Sequence, residues 1–135
     1  MLVLVETDIL LAMISEHDRH HNGVTELLDR TRGIMLSPYS LTELDLLIKS
    51  GTVAISDIEA FYSALDSLLR YRRIAALLPK PAYHARGFDL RKRFRQLTYF
   101  DSLHAGVAIT EGLLLISYDR IYAKIAGLKY SHPAL

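Results

Sequence analysis

Apolar positions in this chain fall into short unbroken runs separated by longer stretches with helical spacing. Residues 2–5, 34–37, 74–78 and 113–117 are runs of Leu, Val, Ile, Met and Ala, the second and fourth closed by Ser, which predicts short strands, the first without alternation and so suited to burial on both faces. Pro38 ends the second run, and Pro79 and Pro81 stop the third. Residues 128–130 are a candidate edge strand. Between these runs the period changes. Val24, Leu27 and Leu28 share one face of a helix over 20–31, and Leu44, Leu47 and Ile48 share one over 40–49. Phe61, Leu65, Leu68 and Leu69 follow at i, i+4, i+7 and i+8 in a helix reaching Arg72. Phe100, Leu103, Val107 and Ala108 mark another within T-Y-F-D-S-L-H-A-G-V-A-I-T, residues 98–110. Shorter helices are expected over 9–14 and 120–126, and a long basic one over 82–96. Gly87 inside the basic helix costs roughly 1 kcal/mol relative to Ala.

Helix starts and stops fit this division. Thr7 or Asp8 suits the N-cap of the first helix. Ser40-x-x-Glu43, Ser56-x-x-Glu59 and Thr98-x-x-Asp101 follow the capping-box pattern. Gly33, Gly51, Gly112 and Gly127 stand where helices end. Strands alternating with helices predict an α/β fold: a mostly parallel sheet of four or five strands sandwiched between helices in three layers, with right-handed crossovers. No internal repeat or linker interrupts it, and 135 residues suit one domain over 1–135.

Composition narrows the chemistry. The net charge of +1 neither requires nor excludes a polyanionic partner. The absence of cysteine removes disulfides and thiolate metal sites and fits a reducing cytoplasm. The apolar start is interrupted by Glu6 and Asp8 and lacks a basic leader. No run approaches the roughly twenty apolar residues of a membrane span. A soluble cytoplasmic protein is the expectation.

The acids occupy telling positions. In an open parallel sheet ligands bind outside the carboxyl ends of the strands. The first strand ends in Glu6-Thr7-Asp8, and the run at 113–117 ends in Ser117 followed by Asp119. Glu43 opens the helix after the second strand. Asp101 opens the helix that feeds the last long strand. If these carboxylates converge, each pair about 4 Å apart costs roughly 4 kcal/mol at an effective dielectric of 20. One shared proton does not relieve four or five acids. Hard oxygen donors without thiolate favour Mg²⁺ or Mn²⁺. The plain alternative is local, because Asp8, Glu43, Asp101 and Asp119 each stand where a capping residue would.

Four segments together resemble the PIN domain, the nuclease fold of many VapC-type toxins. They are V-E-T-D-I-L-L-A, S-L-T-E-L, Y-F-D-S-L-H-A-G-V-A and I-S-Y-D-R-I-Y, in that order and over nearly the whole chain. The resemblance implies a site for one or two Mg²⁺ or Mn²⁺ ions built from the first-strand acid, Glu43, Asp101 and Asp119, with Thr7 and Ser117 as supporting hydroxyls. It implies hydrolysis of an RNA phosphodiester, a small antitoxin partner and a homodimer. The family usually opens D-T-N or D-T-S. Here Glu6 stands at the first aspartate and Asp8 at the usual Asn or Ser, so both are candidate ligands. Glu is one methylene longer than Asp, which leaves open a weaker or non-cutting RNA- or protein-binding module on the same fold.

Other groups have two readings each. His104, one turn after Asp101, either orients that carboxylate or contacts phosphate, or is a half-buried histidine satisfied by a neighbour. His17, Asp18, His20 and His21 read as a polar helix entry or a transition-metal site. Arg86, Arg91, Lys92, Arg93 and Arg95, with Arg70, Arg72 and Arg73, suit RNA phosphates, an acidic partner or plain solvation. Tyr99 and Phe100 could stack on a base, with Phe100 also suited to the core. A phosphoacceptor module of the receiver type would also gather acids at a parallel sheet, but no lysine stands suitably after the run at 113–117.

Overall fold

The computed structural model describes residues 2–134. Five strands form one sheet: β1 Val3–Val5, β2 Ile34–Leu36, β3 Ala75–Ala76, β4 Leu114–Ile116 and β5 Tyr130–Ser131. Their spatial order is β3-β2-β1-β4-β5, and every pairing is parallel. Around them lie α1 Thr7–Ile14, α2 His21–Arg30, α3 Ser40–Lys49, α4 Ile58–Tyr71, α5 Pro81–Arg93 and α6 Tyr99–Glu111, with a short 3₁₀ helix at Arg120–Lys124.

The unalternating strands are explained by two cores. Val3, Val5, Ile34, Leu36 and Ile116 pack with Ile9, Leu10, Val24, Leu28, Leu44 and Leu65, drawn from α1 to α4. Leu4 and Leu115 point to the other face and meet Tyr83, Leu90, Leu103, Val107 and Tyr122. With period-two geometry, apolar residues at every position of β1 therefore mean helices on both sides. Burying one such side chain is worth about 1.5–3 kcal/mol.

Some elements differ from the sequence expectation. The third strand shrinks from 74–78 to Ala75–Ala76, because it pairs only with the end of the three-residue β2. The basic helix ends at Arg93 rather than at residue 96. The last helix is a five-residue 3₁₀ turn. Asp57, one place beyond Ser56, caps α4 by accepting the Ala60 amide. The Ser40 box does not form: α3 starts without a side-chain cap, and Glu43 is committed elsewhere.

Gly87 faces α6, where a Cβ would lie 3.2 Å from Leu103 Cδ2 and 3.3 Å from the Ser102 carbonyl. The α5–α6 crossing is close: a Cβ on Gly106 would lie 2.9 Å from the Tyr83 carbonyl and 3.2 Å from the Gly87 amide nitrogen. The partner there is backbone, which moves only with its helix. Gly106→Ala is expected to destabilise the protein by about 1–3 kcal/mol in urea denaturation, the usual cost of overpacking. A change below about 0.5 kcal/mol, the range of ordinary surface substitutions, would refute the tight crossing.

Candidate functional site

β1 has β2 on one side and β4 on the other, so the strand order reverses direction beside it. Crevices form at the carboxyl ends of strands at such a switch point. Val5 pairs with both Leu36 and Ile116, so the next residues of these strands are Glu6, Ser37 and Ser117. All three are buried. Helix starts bring the remaining groups to the same edge. A cleft of about 200 Å³ there is lined by Glu6, Thr7, Asp8, Leu11, Glu43, Leu47, Asp101 and Asp119. Five carboxylates from distant positions thus meet in one crevice, and among the described residues no Lys or Arg lines it.

Each acid is held differently. Glu6, rather than Thr7 or Asp8, is the N-cap of α1: its Oε1 accepts the Asp8 amide at 2.8 Å. Its Oε2 accepts from the Tyr122 hydroxyl at 2.9 Å. Asp8 turns toward β4, where Oδ2 accepts the Tyr118 amide at 2.7 Å and the Ser117 hydroxyl at 3.0 Å. Ser117 Oγ in turn accepts the Asp119 amide at 3.1 Å, so this hydroxyl links two acids. Asp119 caps the 3₁₀ helix through the Ile121 amide at 3.0 Å. Thr98 accepts the Asp101 amide at 3.2 Å, as the capping pattern requires. The Asp101 carboxylate itself faces the Tyr122 hydroxyl at 3.1 Å.

Glu43 is clamped by two donors, the Thr7 hydroxyl and His104 Nε2, the latter at 2.8 Å. A carboxylate only accepts, so Nε2 carries the hydrogen. The other ring nitrogen lies 2.6 Å from Ser37 Oγ. His104 is 0% exposed. Of the readings open to His104, the histidine satisfied by its neighbours is the one realised, with full rather than half burial: it orients Glu43 rather than Asp101 and is sealed from any phosphate.

The electrostatics describe crowded negative charge. Burial, then the charges of Asp8 and Glu43, push the Glu6 carboxyl well above its ordinary value. Burial, with Asp119 and Glu43, raises Asp101 in spite of the Thr98 and Tyr122 hydroxyls. Burial, then Glu6 and Asp101, raises the Tyr122 phenol as well. Burial also pushes Glu43 up, but the His104 and Thr7 donors outweigh it and the group lies below its ordinary value.

These directions set a pH dependence. Glu6 and Asp101 bind protons more tightly folded than unfolded. Their contribution is complete below the ordinary values of 4.5 and 3.8 and is lost as pH rises through the raised ones. Glu43 acts in the opposite sense, contributing above 4.5 and failing as pH falls through its lowered value. The metal-free protein is therefore expected to melt at a higher temperature near about pH 5 than near about pH 8, each differential proton being worth about 1.4 kcal/mol per pH unit. Saturating Mn²⁺ is expected to flatten the slope. A melting temperature that instead rises steadily toward pH 8 without metal would contradict the raised carboxyls.

The residues fit a hard divalent ion. The cleft offers carboxylate oxygens and a hydroxyl, with no sulfur. Asp8 Oδ1 is buried and accepts no hydrogen bond, which leaves a full acceptor unsatisfied. Ligand atoms of Glu6, Glu43 and His104 also lie within 4.8 Å of one another. Both His104 nitrogens are already engaged, so an ion on that trio would have to break the Glu43 clamp. The oxygen donors are the better match.

The other candidates lie apart from the cleft. Arg91 donates to Ser102 Oγ at 2.7 Å and covers the Tyr99 ring at 4.9 Å, so it ties α5 to α6. Arg93 pairs with Asp89 at 2.9 Å, and Lys92 lies over the exposed Phe88. Arg86, Lys92, Arg93 and Arg95 are exposed on α5 and just beyond it. Of the second cluster, Arg70 pairs with Asp66 and Arg72 with Asp29. His21 Nδ1 meets the Ala12 carbonyl at 2.8 Å, and His20 stacks on Tyr118, so this histidine run is a helix entry. Phe100 lines an apolar hollow of about 540 Å³ with Leu46 and Leu47, next to Glu43. Tyr122 was not singled out by sequence. Its signal was an aromatic hydroxyl among apolar neighbours, which when buried must find a partner.

A family model for the PIN domain matches residues 3–128. A search of curated proteins finds no match. Among solved structures, VapBC2 from Rickettsia felis bound to a promoter DNA fragment is similar at 23% identity and TM-score 0.75, covering 98% of each chain. VapBC-1 from nontypeable Haemophilus influenzae is similar at 18% identity and TM-score 0.73 over 100% of each chain. PAE2754 from Pyrobaculum aerophilum is similar at 22% identity and TM-score 0.64, covering 96% of this chain and 90% of that one. Among the described residues, no helix is long and apolar enough to cross a membrane.

Proposed function

This chain belongs to the PIN domain family, and from that premise we propose that it is a metal-dependent ribonuclease, the toxin of a VapBC-type pair. The observation that carries the reading is the convergence of Glu6, Asp8, Glu43, Asp101 and Asp119 on one crevice. Structural likeness to VapBC complexes supports a small antitoxin as partner. The apolar hollow beside Glu43 gives such a partner a surface to cover. As the family resemblance implies, the working form proposed is a homodimer.

When bound, Mg²⁺ or Mn²⁺ supplies an acidified water and positive charge for the phosphodiester. The chain's own residues supply placement. Asp101 and Asp8 would hold the ion, and Asp119 and Glu43 would contribute to holding it. His104 and Thr7 fix the Glu43 carboxylate, and Ser117 sets the distance between Asp8 and Asp119. The basic face of α5 receives RNA phosphates outside the cleft. No nucleophilic side chain takes part.

Incubating the purified protein with RNA in Mg²⁺ or Mn²⁺, and again with EDTA, tests this directly. Cleavage that requires the ion supports it. Mn²⁺ uptake without cleavage of any RNA would favour the binding-module reading, for which Glu6 in place of the usual aspartate is the motive.

A further inference from the structure

Tyr122 has no part in the function proposed above, yet its position is specific. The ring is 0% exposed, and its hydroxyl stands 2.9 Å from Glu6 Oε2 and 3.1 Å from Asp101 Oδ1. The three groups come from the end of β1, the first turn of α6 and the 3₁₀ helix. A phenol has one proton, and carboxylates have none to give when ionised. The hydroxyl therefore serves one carboxylate at a time. Glu6 is the more sealed of the two, at 5% exposed, and its other oxygen already takes the Asp8 amide. Asp101 is half-buried on the cleft wall, within reach of water or an ion. An unserved acceptor costs more in the sealed position and the contact to Glu6 is the shorter, so Glu6 takes the larger share of this donor and Asp101 the smaller.

We infer that Tyr122 is a positioning residue that sorts the acids: it withholds Glu6 from the ion and leaves Asp101 to hold it. This rests on the metal-dependent reading above. Glu6 then has both oxygens occupied and acts as a helix cap forming the wall of the site. The extra methylene relative to Asp is absorbed in reaching the phenol. Without the hydroxyl, Glu6 Oε2 would be a buried carboxylate oxygen with no donor and would turn toward the cleft.

A double-mutant cycle on the full chain tests the sorting, with Mn²⁺ affinity read by calorimetry. Glu6→Gln keeps the capping oxygen and is expected to change Mn²⁺ affinity by less than about threefold when Tyr122 is present. In a Tyr122→Phe background, where Glu6 is free to join the ion, the same change is expected to cost about tenfold. A metal-independent readout is the Asp8 backbone amide resonance, which reports the Glu6 cap and is expected to move in Tyr122→Phe. Equal Glu6→Gln costs in both backgrounds would overturn the inference, as would a loss of about tenfold, the weight of a true ligand, in the wild-type background. An Asp8 amide that stays in place would overturn it too. Wild-type protein that takes up no Mn²⁺ sinks the metal site and with it the sorting of ligands. The amide still decides whether Tyr122 holds Glu6.

Discussion

Asp101→Asn is expected to lower metal-dependent RNA cleavage by at least about 100-fold while leaving the fold intact. The substitution keeps the shape and the Thr98 cap, which runs through the backbone amide of residue 101. It removes one ionised ligand that has access to the cleft. The loss should appear in both Mn²⁺ affinity and cleavage rate. A second consequence separates a functional role from a structural one. Asp101 is destabilised by burial and by Asp119 and Glu43, so neutralising it relieves repulsion in the metal-free protein. Thermal melts without metal should show the variant as stable as wild type or more so. Stability that is gained while function is lost is the expected mark of a strained site. A variant that cuts at the wild-type rate would remove Asp101 from the mechanism.

His104→Ala is expected to act in the opposite manner, damaging stability first. The ring is fully enclosed between the end of β2 and the start of α3, with one nitrogen on Ser37 and the other on Glu43. Truncation leaves a cavity, a buried hydroxyl and a carboxylate that has lost a donor. The combined cost is about 2–4 kcal/mol by urea denaturation. Glu43 would also lose the hydrogen bond that keeps its carboxyl below the ordinary value. Mn²⁺ affinity should therefore fall even where the variant is fully folded. His104→Gln, whose amide can donate toward Glu43, is expected to recover part of both losses. If His104→Ala were as stable as wild type, the Ser37–His104–Glu43 chain would not be a structural tie.

The sheet was legible because burial on two faces leaves an unmistakable pattern in three residues of β1 and β4. The carboxyl-edge acids followed from strand ends alone. Local rules failed where a tertiary partner outbid them. Thr7 is a better intrinsic N-cap than Glu6, but its hydroxyl is taken by Glu43, and the longer Glu6 side chain curls back to the Asp8 amide. Glu43 fits a capping box with Ser40, but His104 and Thr7 offer it two donors at once. His104 could be placed one turn from Asp101 by spacing. Spacing says nothing of a neighbouring helix, and the residue it orients is 61 positions away. Tyr122 was read as part of a last helix, since no local pattern reveals that two remote carboxylates converge on its hydroxyl.

The pocket draws on both halves of the chain, and its two walls are joined by the hydrogen bond between Asp8 and Ser117 across 109 positions. A polypeptide emerging from the ribosome has Glu6, Asp8 and Glu43 long before Asp101, Ser117, Asp119 and Tyr122 exist. The catalytic centre proposed for this chain is therefore assembled only after residue 122 has been made and has left the ribosome. Its own messenger and the ribosome making it face an unarmed fragment until then.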